Sequence, residues 1–454
     1  MRRRRRGDAG APRLGRPARW LGAALAGLVV TSASPVASAA DVTEIVDDFA
    51  PVEALELHPS VGLNWQWRQR RGGIRREFSC VAHETIGGAS LCPDGSRVAL
   101  ADELRVERTS AVLGLDARLG VGRLLELRVT LPFVLFDRNG LEFAPGVTES
   151  NSLTDPYNQP SLFDAPFQAG ERGGVGDLTV GVRVAPLSGA RDPLDPSWVI
   201  GASLQIPTAA IRRADNTSVG DGVWRLDLST AVSARVVRWL EPFLELGGTL
   251  AFAGDSSPFQ DLGPTATLSG PSHRVGARFG VELVPFERAA TRSAVRLEIG
   301  GRVDVVFDGR GFSDLADALG TSPCSPGDAA APCSLTTYDR GDVDPATGAP
   351  RVTDGITRIE HHAVVGGWVG VRYEVFEALE LRARASATRE SDHFLTFTDA
   401  GVDLDGVGDV EGQNASGVNE LDPSWLSSVD TPGARYRTGG VWILGIDLAI
   451  RGKF

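Results

Sequence analysis

Long runs in which apolar and polar residues alternate one for one constrain this chain more than any other feature. Near the C-terminus Trp442, Leu444, Ile446, Leu448, Ile450 and Phe454 fall in one phase, with Gly452 between the last two. Gly445, Asp447, Arg451 and Lys453 fall in the other, beside Val441, Ile443 and Ala449. Successive side chains of a strand point to opposite faces, so this segment reads as a strand with one apolar face and one mixed face. The same code sets Trp224, Leu226, Leu228, Val232 and Val236 against Arg225, Asp227, Ser229, Ser233 and Arg235. It sets Val295, Leu297, Ile299, Val303, Val305 and Phe307 against Arg296, Glu298, Arg302 and Asp304, and Leu125, Leu127, Val129, Leu131, Phe133 and Leu135 against Glu126, Arg128 and Thr130. Beyond the first forty residues no stretch approaches 18 uninterrupted apolar residues, which excludes helical membrane spans there.

Twelve segments carry the pattern: 57–70, 98–118, 122–136, 176–187, 196–208, 222–236, 239–254, 273–285, 292–307, 357–375, 378–396 and 434–454. Short connections follow the second, fourth, sixth, eighth and tenth. Long ones cover 71–97, 137–175, 209–221, 255–272, 308–356 and 397–433. Short turns at one end, long loops at the other and an even count predict an all-β fold: a single antiparallel transmembrane β-barrel of about twelve strands, with long outer loops and short periplasmic turns. A secreted β-sandwich or propeller would alternate too. Sandwich strands, however, typically run about 5–6 residues, and these segments run a dozen or more.

The N-terminus reads as an address. Eight of the 46 basic residues, but a single acid, Asp8, lie in residues 1–39. Arg2 to Arg6 lead into an apolar run from Trp20 to Val30, and Ala37-Ser38-Ala39 supplies a small-residue cleavage site. This is the layout of a secretory signal peptide, with an apolar run too short to span a bilayer. Residues 1–39 are therefore expected to be removed, 40–56 to form a periplasmic N-terminal segment and 57–454 to form the barrel. No Phe-Leu-Lys-like continuation follows the arginines, which favours the general secretory route, and no cysteine follows the cleavage site. Removing the leader takes the formal charge from -12 to -19, with 38 basic against 57 acidic residues. Such an acidic chain is a poor partner for nucleic acid. The 54 glycines, spread throughout, suit strands and turns better than helices.

Two stretches resemble known families. Gly174-Val175-Gly176-Asp177-Leu178-Thr179-Val180-Gly181-Val182-Arg183, followed by Ala202-Ser203-Leu204-Gln205-Ile206-Pro207-Thr208, resembles a hairpin of outer-membrane barrels in the MetA-pathway-of-phenol-degradation or putative transporter group. Similar barrel segments occur in OmpA-like proteins. The match covers about 35 residues, and Ala209 stands where the group usually has Gly. The terminal Phe454 on an alternating strand that includes Trp442 resembles the C-terminal insertion signal of such barrels. The resemblance implies an outer-membrane protein of a Gram-negative bacterium that passes small, hydrophobic or aromatic solutes. It also implies outer-membrane lipid and the barrel-assembly machinery as partners. The chain reaches the last strand without a peptidoglycan-binding domain after it, which puts an anchoring role in doubt.

If the apolar phase faces lipid, the other lines the interior. The pore-lining candidates are Arg183, Arg225, Asp227, Arg235, Arg278, Glu282, Arg296, Glu298, Arg302, Asp304, Arg372, Glu374, Arg382 and Arg384, with Asp116, Arg118, Glu126, Arg128 and Glu245 in the same phase. Charges of both signs either pair across strands and close a narrow lumen or set a field across a polar pore. Barrels of about eight strands are filled and those of sixteen or more leave a channel. Twelve predicts a narrow pore, or one blocked by an inward-folded loop. The excess of arginine predicts a leaning toward anionic or polar solutes. The expected function is a porin or transporter-like barrel; the competing expectation is a closed barrel that displays loops as an interaction surface. Trp65, Trp67, Trp198, Trp224, Trp239 and Trp442 sit where aromatic girdles are expected, while Trp368 falls on the inward phase.

Cys80 and Cys92 share the first long loop, and Cys324 and Cys333 the fifth, so two local disulfides are expected in the oxidising periplasmic route. No zinc spacing occurs. Asp403, Asp405, Asp409 and Glu411 alternate with glycines somewhat like a calcium loop but lack the full pattern, and a solvated acidic loop is the expectation. His361-His362 and His393 could meet at the loop end of neighbouring strands, as a metal site or a base. No serine motif accompanies them, so no enzyme and no cofactor are expected.

Overall fold

The computed structural model describes residues 57–80, 97–121, 124–154, 162–187, 196–254, 257–260, 270–321, 355–400 and 424–454, less a few single positions. It also describes Ala40, Thr43 and four isolated residues between 401 and 422. All belong to one compact unit, Val36–Phe454. Twelve long strands follow one another: β1 (Leu57–Ser79), β2 (Val98–Val121), β3 (Leu125–Phe143), β4 (Leu178–Leu187), β5 (Ser197–Ile206), β6 (Val223–Ser233), β7 (Leu240–Ala253), β8 (Arg274–Arg288), β9 (Ser293–Val306), β10 (His362–Phe376), β11 (Leu379–Glu390) and β12 (Tyr436–Lys453). Each pairs antiparallel with its chain neighbours, and β1 pairs with β12 from Ser60 opposite Lys453 to Arg76 opposite Tyr436. The sheet is therefore a closed barrel, which leaves no edge strand to recruit other chains.

One end holds all five short connections and both ends of the strand series, since Leu57 lies opposite Val121 and Ser60 opposite Lys453. The other end holds six long loops. Along the strands the alternation sorts by face: Leu115 is 39% exposed and Asp116 4%, Leu297 40% and Arg296 1%. Apolar side chains point outward and charged ones inward, which is the predicted phase.

Toward the long-loop end this pattern inverts. Ile74 of β1, Leu104 and Val106 of β2, Leu141 of β3 and Tyr436 of β12 point inward and are buried. Their neighbours Arg71, Glu107 and Arg138 face outward, exposed. Register shifts between Ala111 and Val112 in the β2–β3 ladder, and between Arg71 and Gly73 in the β1–β12 ladder, lie between the two zones. A bulge adds one residue to one strand and so can hand the apolar set to the opposite face.

Four strand ends differ from expectation, for reasons found in this inversion. β1 runs to Ser79 and β3 to Phe143, beyond the expected 70 and 136, because their outer halves keep pairing after the original alternation stops. The segment expected at 357–375 is broken: Thr357–Ile359 pairs with Gly309–Gly311 in a separate ribbon, and β10 begins at His362. The segment expected to reach 396 stops at Glu390, since Leu395 turns into the loop core, where its N–H meets the Tyr436 carbonyl.

Within the barrel, Gly300 of β9 lies opposite Trp368 of β10, and a Cβ on Gly300 would strike the indole. Glycine there lets Trp368 lie inside, 8% exposed, with its Nε1–H donating to Glu298 Oε1 at 2.7 Å. Trp67, Trp224 and Trp442 lie toward the loop side of the outward apolar zone, and Trp198 and Trp239 beside the short turns.

Candidate functional site

The interior divides into three levels. At the short-turn end ion pairs fill the lumen. Arg296 lies 3.9 Å from Glu282 and 3.6 Å from Glu374, and Arg372 lies 3.4 Å from Glu282 and 4.0 Å from Glu374. All four are nearly inaccessible. The Arg372–Glu282 contact is a long hydrogen bond, and the other three are ion pairs beyond hydrogen-bond distance. Around the same level Arg183 pairs with Glu126, and Arg235 lies 3.7 Å from Glu241 and 3.3 Å from Glu287. Ala40 and Thr43 reach this level too. Ala40 is fully buried beside Phe243 and Trp368, and its N–H donates to Glu241 Oε1 at 2.6 Å. These two residues of the segment expected in the periplasm thus lie in the barrel's interior; the rest of 40–56 is outside the described residues.

Above this floor is a chamber of about 560 Å³. Nine arginines line it (Arg68, Arg118, Arg128, Arg274, Arg278, Arg302, Arg382, Arg384 and Arg451) against two acids, Glu390 and Asp447. Carboxylates behind the lining hold most of these guanidiniums in place. Arg118 and Arg128 share Asp116 at 2.6 and 2.7 Å, Arg302 bonds Asp304 at 2.6 Å, and Arg384 bonds Glu298 at 2.7 Å. Arg278 lies directly across the ladder from Arg302 and 3.4 Å from Glu245. Arg274 makes no ion pair among the described residues. A chamber so lined stabilises an anion by charge and by forked hydrogen bonds at once.

The long-loop end is closed by an apolar core built like that of a soluble protein. Leu162 and Phe163 come from the second long loop, Leu315, Ala318 and Leu319 from the fifth, and Leu395, Leu426 and Val429 from the sixth. They pack on Ile74, Leu104, Leu141 and Tyr436. Two short helices belong to this core, α1 (Ala316–Gly320) and α2 (Ser427–Asp430). Gly355, at φ +74°, passes so close to the Ala316 carbonyl that no side chain fits, which seats the fifth loop on α1. Buried charge clamps the core to the wall: Asp317 accepts from Arg172 at 2.7 Å and Arg212 at 2.9 Å, and Asp314 from Arg70 at 2.9 Å. Burial disfavours the Asp317 carboxylate, but the Arg212 and Arg172 guanidiniums outweigh it and hold the carboxyl below the usual range. In α2 burial wins: it pushes Asp430 up to about 7 despite N–H bonds from Leu426 and Thr398.

His362 and His393 do meet. Their rings stack 3.8 Å apart at 9°, and Glu390 brings a third ligand atom to within 4.8 Å of theirs. A metal ion must lie in the plane of each coordinating imidazole, and two parallel, face-to-face rings cannot share one ion that way. Glu390 is moreover held by Arg70 at 2.5 Å. Burial, and then the charge of the stacked His362, lower the His393 pKa. The cluster as arranged is a packed joint between the fifth and sixth loops.

Of the sequence candidates, the chamber gathers Arg278, Arg302, Arg382 and Arg384, with Asp304 and Glu298 behind them. Arg235, Glu282, Arg296, Arg372 and Glu374 form the floor, with Arg183 near it. Arg225 and Asp227 stand apart on β6, paired with Asp221 and Thr249. Cys80 is buried. Cys92, Cys324, Cys333, Asp405, Asp409, Glu411 and residues 1–39 lie outside the described residues; of the acidic run only Asp403 is among them. The sequence reading missed Arg274, the Asp314 and Asp317 clamps and the Ala40–Glu241 contact, all of which lie in or against loops and termini that carry no period.

No family model and no curated protein matches this sequence. Among solved structures, the chain resembles an outer-membrane channel from Pseudomonas putida F1 at 13% identity and TM-score 0.36, over 88% of this chain and 97% of that one. It resembles a FadL homologue from Pseudomonas aeruginosa at 9% and 0.29, over 88% and 90%. It also resembles the outer-membrane protease OmpT from Escherichia coli at 7% and 0.26, over 88% and 96%. These proteins include a channel and a protease, and at such scores the likeness adds nothing to the barrel topology already described.

Proposed function

We propose that the chain is an outer-membrane barrel that passes small organic anions through an arginine-lined lumen. The observation that carries the membrane reading is the inversion of amphipathicity along the strands. Outward apolar residues on every strand suit contact with lipid, and the switch to outward Arg71, Glu107 and Arg138 suits a wall that has risen into water. The chamber's nine arginines against two acids support the anionic preference. Trp368 and its stacked Arg384, 5.3 Å from the ring, offer an aromatic carboxylate a surface as well as a charge. This narrows the hydrophobic or aromatic solutes implied by family resemblance to those that carry an acid group. Outer-membrane insertion, leader removal and a Cys80–Cys92 disulfide belong to the same reading.

Purified protein in liposomes tests it. Benzoate or acetate should enter faster than a neutral sugar of similar size, and the double variant Arg274→Glu, Arg302→Glu should reverse the order. Equal rates in both proteins would contradict the reading. A second reading, a closed barrel that displays loops, is favoured by the sealed long-loop end. Absence of flux after that seal is broken would support it.

A further inference from the structure

We propose that the barrel floor is a binding site for the chain's own processed N-terminus, with the α-ammonium of Ala40 as its ligand. The inference rests on the export reading, of which leader removal is part, and not on conduction. Ala37-Ser38-Ala39 ends one residue before Ala40. Hydrolysis of the Ala39–Ala40 bond adds one water: Ala39 leaves as the carboxylate end of the leader, and the Ala40 nitrogen becomes an ammonium. The nitrogen so freed is the one already 2.6 Å from Glu241 Oε1.

The surroundings suit an ammonium better than an amide. An amide offers one hydrogen and no charge; an ammonium offers three and a positive charge. Glu241 is 3% exposed, and its Oε2 has no hydrogen-bond partner among the described residues. A second N–H from the same nitrogen would supply one. Charge balances as well. Glu241 and Glu287 both face Arg235, which leaves one negative charge over. A buried carboxylate costs several kcal/mol unless compensated, and the terminal ammonium compensates it. The rest of the terminus is held by matching contacts. Thr43 N–H bonds the Ala40 carbonyl at 2.8 Å, Thr43 Oγ1 lies 2.7 Å from Ser233 Oγ, and Ser233 Oγ donates to Glu241 Oε1 at 2.7 Å. The methyl group of Ala40 packs with Phe243 and Trp368.

Lys453 is the single lysine in the sequence, so the mature chain has two primary amines and each can be followed separately. The test uses full-length protein recovered from membranes of an expressing cell. Intact mass should correspond to residues 40–454. An acetylating reagent, which attacks only unprotonated accessible amines, is then applied near neutral pH, and acetylation at Ala40 is followed by mass spectrometry. Labelling of Ala40 should be at least tenfold slower than in Glu241→Gln. It should also be at least tenfold slower than labelling of the new N-terminal glycine in a protein with Gly-Ser-Gly inserted after Ala39, which keeps Glu241 and displaces the ammonium. The insertion variant decides the matter should Glu241→Gln fail to fold. A mature terminus other than Ala40 would overturn the proposal together with its leader assignment. N-terminal amines labelled equally fast in all three proteins would overturn the binding site alone and leave export intact.

Discussion

At the long-loop end Leu104, Leu141, Leu315, Val429 and Tyr436 close the lumen with an apolar core, whereas at the short-turn end Arg296, Glu282, Arg372 and Glu374 close it with charge. The residues that make the difference come from different parts of the chain. Loops can fold over one another and bury apolar side chains inward, as the second, fifth and sixth do. Strands whose apolar side chains already face outward have mainly polar residues left for the inside. The floor is therefore electrostatic and the roof largely hydrophobic, with a cationic chamber between. The apolar contacts of the roof carry no charge, so acid and screening reach it only through its few buried carboxyls. A charged floor responds to both.

The roof's largest vulnerability is the buried Asp317 clamp. Asp317→Asn would strand the buried Arg172 and Arg212, 4% and 10% exposed, at a cost of about 3–5 kcal/mol. Amide exchange of residues 315–320 should accelerate by a hundredfold or more while strand amides stay protected. Unchanged exchange would mean that the clamp does not hold α1. Leu315→Ala removes apolar contact from the same core and should cost about 2–4 kcal/mol. It should also loosen α1, but with no change in salt dependence, and a salt-dependent loss would break the contrast between roof and floor.

Much of this architecture is legible in the sequence, and the boundary of legibility is physical. Outward Leu297 and inward Arg296 are assigned correctly because a period of two survives wherever one face meets apolar surroundings and the other does not. The outer halves of β1 and β3 escape because the apolar set changes face there: at a bulge in β3, and in β1 because Ile74 takes up the inward phase that Arg68 and Arg70 hold below it. Chamber residues on strands, such as Arg302 and Arg384, are found by phase. The Asp317 clamp, the stacked His362 and His393 and the buried Ala40 depend on where loops and the terminus return, and no local pattern records a return.

Two smaller effects sharpen the contrast. Asp430 in the roof has a carboxyl raised from 3.8 to about 7, so its neutral form is favoured by folding. Its contribution is complete below the unfolded value, falls by roughly 1.4 kcal/mol per pH unit as pH rises from there toward 7, and is gone above that point. Exchange at residues 426–430 should quicken between about pH 4.5 and 6.5 after correction for intrinsic rate and level off above 7, and the dependence should flatten in Asp430→Asn. Slowing over that interval would refute the assignment. Glu298→Gln, which leaves the partly solvated Arg382 and Arg384 with a neutral partner, should cost about 1–3 kcal/mol yet raise preference for anions. A fall in anion preference would show that these arginines do not face the permeating solute.

Single-channel recording under a KCl gradient, on the wild type and on the doubly released variant Asp317→Asn, Glu241→Gln, tests the sealed cationic chamber most directly. The account predicts that wild-type barrels stay closed most of the time. It predicts that the released variant opens in discrete steps whose reversal potential lies toward that of chloride. Cation-selective steps from the released variant, or none, would contradict it.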